Sequence, residues 1–349
     1  MKLSALAHSP GVKAALLAAL LFGAATPLAK LFLLNNSPWM LAGLFYMGSG
    51  LGLTVYRRLT HAEPVVLPAG ERWWFLGAVA AGGVIAPVLM MVGLTHMPAS
   101  GASLLLNAEG VLTALLAWCV FKENVDRRIA LGMLAIVAGA VILSWPEQAS
   151  LRAQWPALLI VAACLAWAID NNLTRKVSLN DATWVASVKG LIAGTSNLLM
   201  ATLAGASLPS LPVIGGAMLL GLLAYGVSLT LFVIALRHLG TARTGAYFSV
   251  APFLGAVLAL ILGEPVTPGL LLAGGLMAWG VWLHLSEQHA HEHVHPDTAH
   301  EHEHTHDEHH QHAHDFPVPA GTRHRHFHQH ERLEHRHAHY PDAHHQHRH

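Results

Sequence analysis

Charge is what this sequence has least of. Only 11% of its 349 residues are Asp, Glu, Lys or Arg, against about 25% in an ordinary soluble domain. That is too thin a polar coat for a water-soluble globule. Cysteine is almost missing too: Cys119 and Cys164 stand apart inside apolar runs, which excludes a disulfide framework and any zinc-type spacing. Both read as small core filler. No nucleophile elbow, phosphate loop or metal-ligand set occurs within a foldable stretch, so nothing points to an enzyme, a required cofactor or a nucleic-acid partner.

What the chain has instead is apolar length, with 53% hydrophobic residues. A membrane-crossing helix needs about 20 mostly apolar residues. Ten such runs occur, at approximately 12–34, 38–56, 73–95, 98–121, 128–145, 155–174, 182–204, 213–236, 241–262 and 267–285. Lys2 and Lys13 precede the first, but it is too long for a signal peptide and holds Pro27 and Lys30 where a small-residue cleavage site would follow. The connections on the amino-terminal side carry twelve Lys or Arg residues and the opposite ones only Lys30 and Arg152. That asymmetry predicts both termini on the cytoplasmic side, with the bilayer as the first partner. Trp39, Trp73, Trp74, Trp145, Trp155 and Trp184 fall near run ends, where amphipathic rings prefer the interface.

The formal charge of zero hides two kinds of chain. Residues 1–285 hold 15 basic and 9 acidic residues, or +6; residues 286–349 hold 5 and 11, or −6, together with 23 of the 28 histidines. The boundary at Ser286 therefore separates a membrane part from a polar tail.

Within the membrane part the sequence repeats. His96 precedes Glu123 by 27 residues and His238 precedes Glu264 by 26, and Gly139 and Gly280 each lie 16 residues beyond those acids. Leu21-Phe22-Gly23 through Pro27 and Lys30 matches Ala166-Trp167-Ala168 through Asn172 and Arg175. Each half, 1–150 and 151–285, holds five runs. An odd number makes the second half enter from the opposite side, so the repeat is inverted. The expected fold is an all-α integral membrane bundle of ten helices in two inverted five-helix repeats, followed by a disordered His-rich tail.

Phe121-Lys122-Glu123 with Leu131-Gly132 to Gly139, and Leu262-Gly263-Glu264 with Ala273-Gly274 to Gly280, resemble the EamA-type members of the drug/metabolite transporter superfamily over residues 12 to about 285. The resemblance implies a central cavity between the halves and secondary transport of small solutes, often outward, in the inner membrane of a bacterium. Two features depart from that pattern. The tail extends well past the tenth helix, and Asn107-Ala108-Glu109-Gly110 stands where the second half has Ser249-Val250-Ala251-Pro252.

Charged side chains within hydrocarbon are costly and face cavities or partners. Glu109, near mid-depth of the fourth run, is the leading candidate for a proton-coupling or solute-contacting carboxyl, with Asn107 beside it. A structural, hydrogen-bonded carboxyl is the alternative. Asp170, Asn171 and Asn172 form a second polar patch, of which at most two residues share a cavity wall. Lys189 matches Asp170 in depth, counted inward from the intervening connection at about 1.5 Å per residue. The two are expected to pair, either lining the path or only locking two helices. Gly48 and Gly52, like Gly190 and Gly194, have close-packing spacing; His96 and His238 read as interfacial, Glu123 and Glu264 as helix-boundary markers.

In the tail, His289, His291, His293 and His295 alternate, as do His300, His302, His304 and His306, and then His324, His326, His328 and His330. Alternate side chains share a face only in an extended chain. Neutral imidazole suits nickel, zinc, cobalt or copper, so weak transition-metal binding is expected, and with almost no apolar residues the tail has nothing to build a core from. Three functions follow: a secondary transporter exporting a metabolite; a transition-metal exporter whose tail collects or senses cytosolic metal; or a non-transporting membrane sensor of metal or pH. A small molecule or ion is the expected cargo, and a second copy of the chain is a candidate partner.

Overall fold

A computed structural model of the chain describes residues 10–65, 67–121, 127–144, 155–174, 181–239, 244, 247–285, 290–295, 298–304, 324–330 and 333–338. It divides into a first unit, Met1–Glu287 with Asp342–His349, whose described residues form a helical bundle, and a second unit, Gln288–Pro341.

The helical unit contains α1 (Pro10–Phe32), α2 (Pro38–Leu59), α3 (Arg72–Ala78), α4 (Ala86–Thr95), α5 (Ala99–Leu105), α6 (Asn107–Phe121), α7 (Arg127–Ser144), α8 (Trp155–Thr174), α9 (Ala182–Leu203), α10 (Leu211–Gly221), α11 (Ser228–Leu239), α12 (Ala251–Ile261) and α13 (Pro268–Leu285). Two π-helical turns, Val79–Ile85 and Leu222–Val227, join α3 to α4 and α10 to α11 without breaking the rod. Each of the ten apolar runs contains described helix, which in 241–262 is mainly Ala251–Ile261. Five stretches, Pro10–Phe32, Ala69–Thr95, Ala99–Val120, Trp155–Thr174 and Leu211–Phe232, are long and apolar enough to cross a membrane by length and composition.

Punctuation residues set the helix ends. Proline opens α2, α10 and α13 in the first turn, where a missing N–H costs nothing. Gly263 ends α12 at φ 103°, a left-handed value that glycine adopts without a Cβ penalty. There the Gly263 N–H donates to Leu260 O and the Glu264 N–H to Ala259 O, the reversal that closes a helix and swings the next residue away from its axis.

Packing is dictated by small residues, as it must be where lipid removes the hydrophobic drive between helices. Helix α2 lies along α9 and α7 along α13; α1 packs on α11 and α12, while α8 packs on α4 and α6. A Cβ added at Gly190 would stand 2.6 Å from the Gly50 nitrogen, and one at Gly280 would stand 2.6 Å from the Gly132 carbonyl. Both backbones therefore touch only because those side chains are absent. Large apolar side chains such as Leu34, Ile261 and Leu271 point outward, as suits a hydrocarbon surround. Cys164 is buried, as core filler should be, but Cys119 is exposed, so its expected core role is corrected: it lies near the end of α6 between exposed Trp118 and Val120.

The second unit belongs to the His-rich tail. Its described residues form β1 (Ala290–His295), β2 (Thr298–His304), β3 (His324–His330) and β4 (Leu333–Ala338), with β1 antiparallel to β4 and β2 to β3. The alternation that composition treats as low complexity is also a strand period, and it gives the extended chain a self-complementary partner.

Candidate functional site

At the centre of the helical unit the wider π turn leaves backbone groups that side chains must complete. Two donors converge on the Gly82 carbonyl: the Tyr46 hydroxyl from α2 at 2.7 Å and the Trp167 indole Nε1 from α8 at 3.1 Å. The Asn197 amide of α9 donates to the neighbouring Gly83 carbonyl at 3.1 Å. Asn197 is fully buried and its other amide atom, Oδ1, has no partner among the described residues. Three helices from both halves of the sequence are thereby pinned to one turn.

Beside this turn lies the pair expected from matched depth. Lys189 Nζ donates to Asp170 Oδ2, while Thr174 donates to the other carboxylate oxygen at 2.9 Å. The side chains are only 18% and 6% exposed, so both charges have left water and each depends on the other. Asp170 packs against Gly82, occupying the space a side chain there would need. Tyr46 also stacks on Tyr225, with centroids 5.4 Å apart and planes at 19°, and Tyr225 belongs to the second π turn. Each π turn thus contributes one face of the same patch.

Glu109 sits in the first turn of α6, half-buried, and accepts a hydrogen bond from Asn171 Nδ2 at 2.9 Å. It lies within electrostatic reach of Asp170 and Lys189. The polar triplet divides as a helix requires: Asp170 and Asn172 are buried, Asn171 is exposed. Asn172 donates to the Ala168 carbonyl at 2.9 Å and Asn107 to the Leu104 carbonyl at 2.9 Å, so both complete local backbone. Of the six membrane candidates the structure gathers four, Glu109, Asp170, Asn171 and Lys189; Asn172 also donates to the Thr113 carbonyl of α6 at 3.3 Å, and Asn107 reaches Met277 Sδ of α13 at 3.9 Å.

Sequence reading missed Tyr46, Tyr225, Trp167 and Asn197. The available signal was position: Tyr46 and Tyr225 are tyrosines in the middle of apolar runs rather than at their ends. It also gave Glu264 too small a part. From its place after Gly263, Glu264 accepts the backbone N–H groups of Ala99 at 2.6 Å and Ser100 at 2.8 Å, the orphan donors at the start of α5. Lys30 meanwhile donates to the carbonyls of Leu94 at 2.5 Å, Met97 at 3.0 Å and Thr95 at 3.1 Å, where α4 ends. An anion at a helix start and a cation at a helix end both match the helix dipole. His96, in that junction, meets the Trp155 ring with centroids 4.6 Å apart and planes tilted by 56°. This end of the bundle is clasped by residues from both halves.

Another anchor joins α2 to α9. The Asp181 carboxylate accepts from the backbone of Thr183 and Trp184 at 2.8 and 3.0 Å and meets Arg57 at 2.9 Å. Burial alone would raise its pKa; those hydrogen bonds and the guanidinium outweigh that and hold the carboxyl below its usual range.

Among the described residues, no three His, Cys, Asp or Glu side chains gather closely enough for a metal ion. Of the tail candidates, His289 and His306 lie outside the described residues, as does Glu123. The other ten, from His291 to His330, are strand residues known by register alone.

The EamA-like transporter family model matches this chain twice, over residues 9–145 and 154–286. The chain is 28% identical over 286 residues to an uncharacterized transporter of Methanothermobacter thermautotrophicus, covering 76% of this chain and 83% of that one. It is 29% identical over 168 residues to a probable amino-acid metabolite efflux pump of Salmonella typhimurium, covering 41% and 55%. The uncharacterized inner membrane transporter YedA of Escherichia coli is 23% identical over 233 residues. A crystal structure at 18% identity covers 78% of this chain and 95% of its own with a TM-score of 0.60, a likeness of fold. With its clasped helical bundle and two family matches covering nearly all of residues 9–286, the chain belongs to the EamA-like transporter family.

Proposed function

We propose that this transporter exports a small zwitterionic metabolite across the inner membrane by alternating access of two inverted five-helix halves, with both termini cytoplasmic. Ten crossings are supported by the helix found on every apolar run. The inversion is supported by the double family match and by packing that recurs when the halves exchange: α1 meets α11 and α12 as α8 meets α4 and α6.

The observation that carries the reading is the Asp170–Lys189 pair in a dry wall beside Gly82 and the stacked tyrosines. An amino-acid-like solute brings one ammonium and one carboxylate. Each meets a buried partner of opposite sign, and the protein's own pair re-forms when the solute leaves. No state then holds an uncompensated charge in low dielectric, which would cost several kcal/mol. Glu109, held by one amide hydrogen bond, is the carboxyl that exchanges a proton during the cycle. With the Lys30 and Glu264 end clasped, the site is served from the opposite end; opening the clasp completes the cycle. The chemistry of the site and the description of the Salmonella relative as a probable amino-acid metabolite efflux pump point to the same solute class.

Proteoliposomes holding the full chain, loaded with a labelled amino-acid panel, test this. The expected result is accelerated efflux of some members, responsive to a pH gradient and lost in Glu109→Gln. Efflux equal to empty liposomes for the whole panel would overturn it.

A further inference from the structure

The register of the tail strands arranges the histidines in a way that their number alone does not. In β1–β4, His291 stands opposite His337 and His293 opposite His335. In β2–β3, His300 stands opposite His328, His302 opposite His326 and His304 opposite His324. Residues two apart in a strand share a face, so by register five histidines share one face of the first ribbon and seven share one face of the second. On the same faces His295 stands opposite Leu333 and His330 opposite Thr298. The intervening positions hold the charges: Glu292 is opposite Arg336 and Glu303 opposite Arg325, pairings of opposite sign that favour this register over a slip of one residue.

A two-stranded ribbon without a hydrophobic face is marginal in water, and here only a few apolar residues occur in the four strands. Directly opposed residues have Cβ atoms about 4.5–5.5 Å apart. An ion that takes imidazole nitrogens at about 2.0–2.1 Å has its ligands supplied in twos by that spacing, one from each arm. Binding energy gained only in the paired state stabilises the pairing.

We propose that the tail is a transition-metal module whose sites are the cross-strand histidine pairs, so that ion binding and the pairing of residues 290–304 with 324–338 are one event. The ions it takes are borderline dications that prefer imidazole, such as nickel or zinc, and not magnesium. The proposal is independent of the cargo: it concerns arms that meet through metal, whatever crosses the membrane.

Nickel chloride titrated into the full chain in nanodiscs at pH 7.5, with bound nickel counted by equilibrium dialysis, tests it. His302→Ala and His326→Ala are each expected to weaken the same site by at least the roughly tenfold that even outer-shell partners of a metal are worth, and the double variant to lose no more nickel than either single. His302→Ala combined with His335→Ala, from different pairs, is expected to lose the two effects together. Exchanging neighbours, His302→Glu with Glu303→His, keeps composition and charge but moves one imidazole to the other register face; it is expected to match His302→Ala. Additive losses within a pair, unchanged binding in the exchange variant, equal uptake of magnesium or no nickel uptake would each overturn the proposal. None of these substitutions touches the helical unit, so efflux from the same preparations is expected to continue at the parent rate.

Discussion

The two places where this bundle uses opposite charges use them differently. In the middle, Lys189 and Asp170 hold each other. At the clasped end, Lys30 and Glu264 feel each other electrostatically yet bond to backbone: Lys30 to the carbonyls that finish α4, Glu264 to the amides that begin α5. The end charges are committed to groups that cannot leave the protein. The middle charges are committed to side chains, which an incoming ammonium or carboxylate can replace. On the proposed export reading, a lock and a binding site differ in whether the partner is backbone or side chain.

The sharpest way to break this contrast is to orphan one central charge. Lys189→Met leaves Asp170 buried and unpaired, with an expected loss of about 3–5 kcal/mol of stability and of all flux, read by thermal melting in detergent and by liposome efflux. Exchanging both, Asp170→Lys with Lys189→Asp, is expected to recover much of the stability; no recovery would show that the pair does not act as a unit. Next comes the clasp. Glu264→Ala strips two helix-start amides and is expected to cost about 1–2 kcal/mol. It should also raise thiol labelling at Ser100→Cys in a background without Cys119 and Cys164, while leaving solute affinity unchanged. Tyr46→Phe follows, removing one of two donors to Gly82 for about 1 kcal/mol, with Trp167 still in place.

The smallest effect is expected at Asp181, whose loss as a cap costs about 1 kcal/mol. Its carboxyl is held below the usual range, so the folded state binds fewer protons than the unfolded one. That contribution is therefore full above pH about 4 and disappears as pH falls through the lowered value. Asp181→Asn, a cap of similar quality without the charge, should flatten the acid limb of a stability profile.

The positions of the helices were legible because crossing hydrocarbon imposes a length, and Asp170–Lys189 because equal depth leaves two buried charges few other partners. What sequence could not supply was which faces meet. The π turn at Val79–Ile85 is completed by Tyr46, Trp167 and Asn197 from neighbouring helices, and no local pattern encodes that. Glu264 looked like a boundary marker because its partner amides lie 165 residues away. In the tail, composition argues for disorder while the period of two is a strand signal.

The measurement closest to the central claim is efflux through a variant with both central charges removed, Asp170→Asn with Lys189→Met. No orphaned charge remains, so the protein should fold and melt near the parent. The account predicts an intact melting transition with flux abolished; parent-like flux from this neutral variant would contradict it.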